Sequence, residues 1–433
     1  MEAAAHPANP SPQKTHSHRL RDFFAELGPG LITGAADDDP SGISTYSVAG
    51  ASFGYSQLWT AIFSFPLMAA VQLMCARLGM VTGRGLASVI RHRYPRWVLW
   101  GACTLLTIAN TVNIAADLGG MAAAMEMMTG VRAFIWQPLF AALIVVLMIW
   151  SSYRHIARVF KWLTLVLFAY IAAAFLANPP WPQVLRATVM PHLEWNANYL
   201  ATFIAILGTT ISPYLFFWQA AQEVEEERAI GRRTLRERRG ATDEELHTAR
   251  TDVLSGMAFA GIVMYFIILT TGATLYASGQ RDIETARQAA EALRPLAGDA
   301  AYLLFTLGLV GTGMLGVPVL AGSAAYAIAE AMHWRGSLND RPRAAAKFYA
   351  VLTIAVITGL SLDYFGFNAV RMLFWAAVVN GVLAPPLVVL VVLLTSDKKV
   401  MGKRVNPPIL KFLGWLTAVL MAGAAIALLW LSL

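Results

Sequence analysis

Apolar stretches of about twenty residues recur eleven times along the 433-residue chain, and this recurrence limits the fold more than any other feature. Each is long enough to cross a hydrocarbon core of roughly 30 Å, inside which every backbone N–H and C=O must find a partner within the protein. The stretches run approximately over residues 28–54, 57–81, 98–124, 133–150, 157–177, 198–222, 252–276, 300–331, 345–362, 369–395 and 408–432. They do not show the alternation of outer-membrane barrel strands, so the expected class is an all-α polytopic membrane bundle. Composition agrees: 57% of residues are hydrophobic, 14% are charged and the mean hydropathy is +0.55, whereas soluble domains carry about a quarter charged residues. Soluble enzyme folds, coiled coils, collagen-like chains and disordered chains are thereby excluded.

A net charge of +7 would suggest nucleic acid in a soluble chain, but here topology explains it. With a cytoplasmic N-terminus, 26 of the 33 Lys and Arg fall in inner segments, six fall outside and Arg77 lies within a span. Shifting the register by one span would reverse this asymmetry, so the N-terminus is expected in the cytoplasm and the C-terminus outside, in a plasma (inner) membrane. Residues 1–27 read as a polar tail without the short apolar core of a removable signal peptide. Cys75 and Cys103 both lie in apolar stretches and read as core residues. The segment 223–250, with Glu223, Glu225, Glu226 and Glu227 and then Arg232, Arg233, Arg236, Arg238 and Arg239, is expected as a solvated connector.

Two of the spans carry helix-breaking chemistry at mid-depth. The first reads GLITGAADDDPSGISTYSVAG and places Asp37, Asp38 and Asp39 before Pro40. Asp39 lies eleven residues past Gly28, about 16 Å deep at 1.5 Å per residue. A carboxylate at that depth is costly unless it meets a cation, a cavity or a partner. Pro40 removes a backbone donor, so carbonyls near Ala36 lose their helical partners and are free to face a cation. One of the three acids is expected to serve the site, while another lines a vestibule or caps a half-helix. The sixth span reads AILGTTISPYLFFWQAAQ, with Thr209, Thr210, Ser212 and Pro213 similarly placed. Five spans separate the two breaks, so the broken helices run in opposite directions. That is the arrangement of two inverted five-helix repeats with a binding site at their meeting point. The expected organisation is a tail over 1–27, a core over 28–395 and a loop and eleventh helix over 396–433. Within the core, repeat one covers about 28–178 and repeat two about 198–395.

With these residues in view, the chain resembles the Nramp family of divalent-metal transporters, which have the LeuT-type inverted-repeat fold. GPGLITGAADDDPSG at 28–42 is similar to that family's first-helix segment with its Asp-Pro-Gly-Asn motif, and ARLGMVTGRGLA at 76–87 to its second-helix exit. The resemblance implies a metal site built from Asp39, the position of Gly42, the position of Ser212, and the carbonyls of Thr209 and Ala36. It also marks departures. Gly42 stands where the family has Asn, Ser212 where it has Met, and Tyr214 where it has His. Loss of the thioether removes a filter against hard cations, and the space gained suits a small ion that keeps some of its water. The pattern resembles the divergent magnesium-transporting branch, so Mg²⁺ or Mn²⁺ is the expected cargo.

The family's third-helix acidic pair, a proton route, falls on Asn110 and Asn113, which do not titrate. All eight histidines lie outside the spans, leaving Asp117 as the remaining coupling candidate beside a packing or capping role. Asn380 at mid-span is either part of the ion's hydration shell or an interhelical hydrogen bond. The leading expectation is therefore inward carriage of a partly hydrated divalent cation by alternating access, without proton coupling. The alternatives are proton-coupled Mn²⁺/Fe²⁺ transport, carriage of a small organic solute, and a non-transporting sensor. No enzyme chemistry and no cofactor are expected, since no nucleophile stands beside a base. The expected partners are a divalent ion and the bilayer, with no nucleic acid and a monomeric chain.

Overall fold

The computed structural model describes residues 29–151, 165–363 and 368–432. Among these the regular structure is helical throughout. The first span is two helices, α1 (Pro29–Asp37) and α2 (Pro40–Phe53). Then follow α3 (Trp59–Thr82), α4 (Arg96–Thr129), α5 (Ala133–Trp150) and α6 (Ala169–Leu176). The sixth span is again two helices, α7 (Ala197–Thr210) and α8 (Pro213–Ala229). The chain continues through α9 (Asp243–Thr271), α10 (Ala301–Ala331), α11 (Ala346–Asp363), α12 (Ala369–Ser396) and α13 (Pro408–Ser432). The first part of the expected fifth span, 157–164, lies outside the described residues.

Both breaks have the same local cause. Each falls two residues before a proline that opens the next helix, where a missing N–H costs nothing. The same proline leaves a carbonyl four residues upstream without its amide: Ala36 for Pro40 and Thr209 for Pro213.

The two halves use matching contacts. The second half-helix of the first span, α2, packs on α9, and that of the sixth, α8, packs on α3, while α4 and α10 pack on each other at the centre. The broken α7–α8 span is innermost, with 94% of its most apolar window buried against 22% for α5 and 33% for α13. α1 approaches α9 backbone to backbone. A Cβ at Gly34 would lie 2.2 Å from the Gly256 carbonyl oxygen, so only glycine fits there.

The segment expected as a solvated connector from residue 223 is in part ordered core. α8 continues to Ala229, and Glu223, Glu225 and Glu227 are buried on it. Each carboxylate finds a donor: Gln219 Nε2 donates to Glu223 at 2.8 Å, Ser337 Oγ to Glu225 at 2.6 Å, and Arg232 pairs with Glu227 at 2.6 Å. Sign alternation in the sequence reports charge but not which helices lie beside it. Cys75 and Cys103 are buried and unbridged.

Candidate functional site

The break in the first span places its three acids differently. Asp39 has an extended backbone (φ −67°, ψ 174°) and is the N-cap of α2, its Oδ1 accepting from the Gly42 N–H at 2.9 Å and the Ser41 hydroxyl at 2.8 Å. The capping role expected of a neighbour thus belongs to Asp39 itself. One oxygen caps and the other, Oδ2, faces Tyr214, whose hydroxyl donates to it at 3.3 Å. The Tyr214 hydroxyl also donates to the Ala36 carbonyl at 3.0 Å, the carbonyl released by Pro40. Gly42 contributes its N–H to the cap, so its backbone orients the carboxylate.

On the other broken span the released Thr209 carbonyl accepts from the Ser212 hydroxyl at 2.6 Å, and Ser212 also bonds the Gly208 carbonyl at 2.8 Å. The Thr209 side chain bonds the Ile206 carbonyl at 2.9 Å and reaches the Tyr46 hydroxyl at 3.1 Å, while Thr210 bonds the Ile206 carbonyl at 2.9 Å. Both released carbonyls are thus met by hydroxyls, one from across the site and one from the same turn.

Asp37, Asp38 and Asp117 are each fully buried, and none of their six carboxylate oxygens has a hydrogen-bond partner among the described residues. Asp117 belongs to the same neighbourhood as Asp39. A Cβ placed on Gly316 of α10 would lie 3.0 Å from the Asp39 Cβ and 3.6 Å from Asp117 Oδ2. Glycine at 316 therefore lets α10 close over both acids. One turn beyond Asp117, the Met121 sulfur fills the notch at Gly313, beside Pro40. No three His, Cys, Asp or Glu side chains form a metal-holding group among the described residues. A cation here has to draw on carbonyl, hydroxyl or water oxygens beside any carboxylate.

The remaining residues separate. Asn110 donates to the Leu320 carbonyl at 2.7 Å and to Ser323 at 2.8 Å, which ties α4 to α10. Asn113 and Asn380 are buried with both amide atoms unpartnered among the described residues, so Asn380 does not form the alternative interhelical bond. Gln219 accepts from Thr33 at 2.6 Å, joining α8 to α1. Tyr46 and Gly316 escaped the sequence reading as site residues, and Gln219 reads there as lining the inner exit or packing. Tyr46 had a signal, since it lies seven residues past Asp39, two turns along the same face.

The sequence matches the family described as natural resistance-associated macrophage protein-like (Nramp) over residues 30–431. It is 30% identical over 410 residues to the divalent metal cation transporter MntH of Mesorhizobium japonicum, covering 93% of this chain and 87% of that one. Identity to MntH of Aeromonas hydrophila subsp. hydrophila is 28% over 413 residues, with 92% and 93% covered. The structure is similar to the Eremococcus coleocola manganese transporter in complex with an aromatic bis-isothiourea substituted compound. The TM-score is 0.74 at 20% identity, covering 96% of this chain and 88% of that chain.

Proposed function

The chain belongs to the Nramp family, and from that premise we propose that it carries a divalent metal cation, Mn²⁺ or Mg²⁺, across the membrane at a site centred on Asp39. The observation that carries the reading is the group of buried carboxylates at the break. Asp37, Asp38, Asp39 and Asp117 are between 0% and 2% exposed, and Asp37, Asp38 and Asp117 have no donor among the described residues. Burying a carboxylate without a partner costs several kcal/mol, roughly, and a divalent ion offsets more of that cost than a hydrogen bond does. The Ala36 carbonyl and Asp39 Oδ2 converge on one point, at the Tyr214 hydroxyl, and supply the neutral and charged oxygens that hard cations prefer. Ser212 adds oxygen where a thioether would select softer ions, which supports Mg²⁺ beside the Mn²⁺ handled by the structural relative.

Inward direction is part of the same proposal: an inside-negative membrane potential pulls a divalent cation toward the cytoplasm, the side on which the basic residues place the N-terminus. Transport is read as uncoupled from protons: the amides Asn110 and Asn113 cannot titrate, and Asn110 is occupied in joining α4 to α10. The test is purified protein in liposomes, given Mg²⁺, Mn²⁺ and Ca²⁺ with and without a proton gradient. Cation uptake should respond to membrane potential while internal pH stays flat. Acidification that accompanies cation entry and vanishes in Asp117→Asn would reject uncoupled transport.

Selectivity gives a second expected result. The double variant Gly42→Asn with Ser212→Met should shift relative uptake toward Mn²⁺ over Mg²⁺ by about tenfold, the equivalent of one net ligand contact. The first change is a tight fit, since a Cβ at Gly42 would lie 3.3 Å from the Asp37 carbonyl and 3.4 Å from the Tyr46 ring, which must yield by a few tenths of an ångström. The second replaces a hydroxyl that now holds the Thr209 carbonyl, so it frees an oxygen while adding sulfur. An unchanged Mn²⁺-to-Mg²⁺ ratio in a folded double variant would place selectivity elsewhere.

A further inference from the structure

A carrier that returns without cargo has to close over its own empty site. Here the empty site would leave a carbonyl deprived of its amide by Pro40 and a carboxylate oxygen not used by the helix cap. The Tyr214 hydroxyl meets both, at 3.0 Å from the Ala36 carbonyl and 3.3 Å from Asp39 Oδ2. Tyr214 is fully buried and stands one residue into α8, so its position is tied to the second break. An ion such as Mg²⁺ that bridged these two oxygens at about 2.1 Å would take the position between them toward which the single phenolic hydrogen is now directed. Ion and hydroxyl therefore compete for them.

We propose that the Tyr214 hydroxyl is an internal substitute for the transported ion, satisfying Ala36 and Asp39 in the empty carrier so that it can occlude and return. The inference rests on the reading of the chain as an Asp39-centred cation carrier. It makes Tyr214 a positioning residue for the empty half of the cycle. Ion-for-ion exchange never passes through the empty occluded state, whereas net uptake does so in every turnover.

Tyr214→Phe removes the hydroxyl and keeps the ring. In proteoliposomes, exchange of radiolabelled Mn²⁺ against internal Mn²⁺ should stay within about twofold of wild type, while net uptake into metal-free vesicles falls by about tenfold or more, the effect of stranding buried polar groups in one state only. Calorimetric Mn²⁺ binding to the purified variant should be retained or tightened, because a competitor has been removed. A parallel fall of exchange and net uptake, or a loss of binding, would overturn the proposal and make the hydroxyl a ligand or a packing group. Wild-type rates in both assays would overturn it as well. Absence of both exchange and uptake in the wild-type protein would instead reject the underlying transporter reading.

Discussion

Replacing Asp39 by Asn should weaken Mn²⁺ and Mg²⁺ binding by about 100-fold or more and bring uptake close to background, because truncating a buried charge interaction costs several kcal/mol. The structure makes this a clean test of charge. Asp39 Oδ1 caps α2 through the Gly42 amide and the Ser41 hydroxyl, and Asn is as good a cap as Asp, so the break should keep its geometry. The variant should therefore unfold near the wild-type temperature while failing to bind in calorimetry. Uptake at wild-type rates would shift the site to Asp37 or Asp38, whose oxygens have no partner among the described residues.

Gly34→Ala should be among the most damaging of the small substitutions. The added methyl would sit 2.2 Å from the Gly256 carbonyl oxygen and 2.4 Å from its carbon, and backbone cannot give way as a flexible side chain does. α1 must then move away from α9, at a cost of about 3 kcal/mol or more, carrying with it the Ala36 carbonyl and the chain leading into Asp39. Both thermal stability in detergent and cation uptake should drop. Gly423→Ala on α13 is the matched control, because nothing lies within 4 Å of a Cβ there. Equal stability of the two variants would show that α1 and α9 do not pack this closely.

Local chemistry made the two breaks legible before any coordinates. A proline removes a donor from the carbonyl four residues earlier wherever it stands in a helix, so Pro40 points to the carbonyls near Ala36 by spacing, whereas Thr209 came from the family resemblance. An acid run at the middle of an apolar span is similarly self-declaring, since water is too far away to hydrate it. The eleven apolar stretches reappear as α1–α13 with ends displaced by a few residues, apart from α9, whose helix starts nine residues earlier, and the part of the fifth outside the described residues. Helix α8 ran past its apolar stretch because its buried acids found donors, Glu223 from Gln219 one turn earlier on α8 itself, and Glu225 and Glu227 from Ser337 and Arg232 beyond it.

The sequence by itself determined the helical class, the positions of both breaks and the Ala36 carbonyl that the first one releases, because each depends on residues within a turn or two. Only the tertiary structure decided which groups meet those atoms. The Tyr214 hydroxyl reaches Ala36 across 178 positions, and Asn110 is bound to Leu320 across 210. Asp117 and Asp39 lie beside the same glycine, Gly316 on a third helix, where a side chain would meet both. Spacing along a helix gives the direction a side chain leaves it, but its partner is set by the helix packed opposite, and in a bundle of broken spans that choice is made by close packing at glycines far apart in the chain.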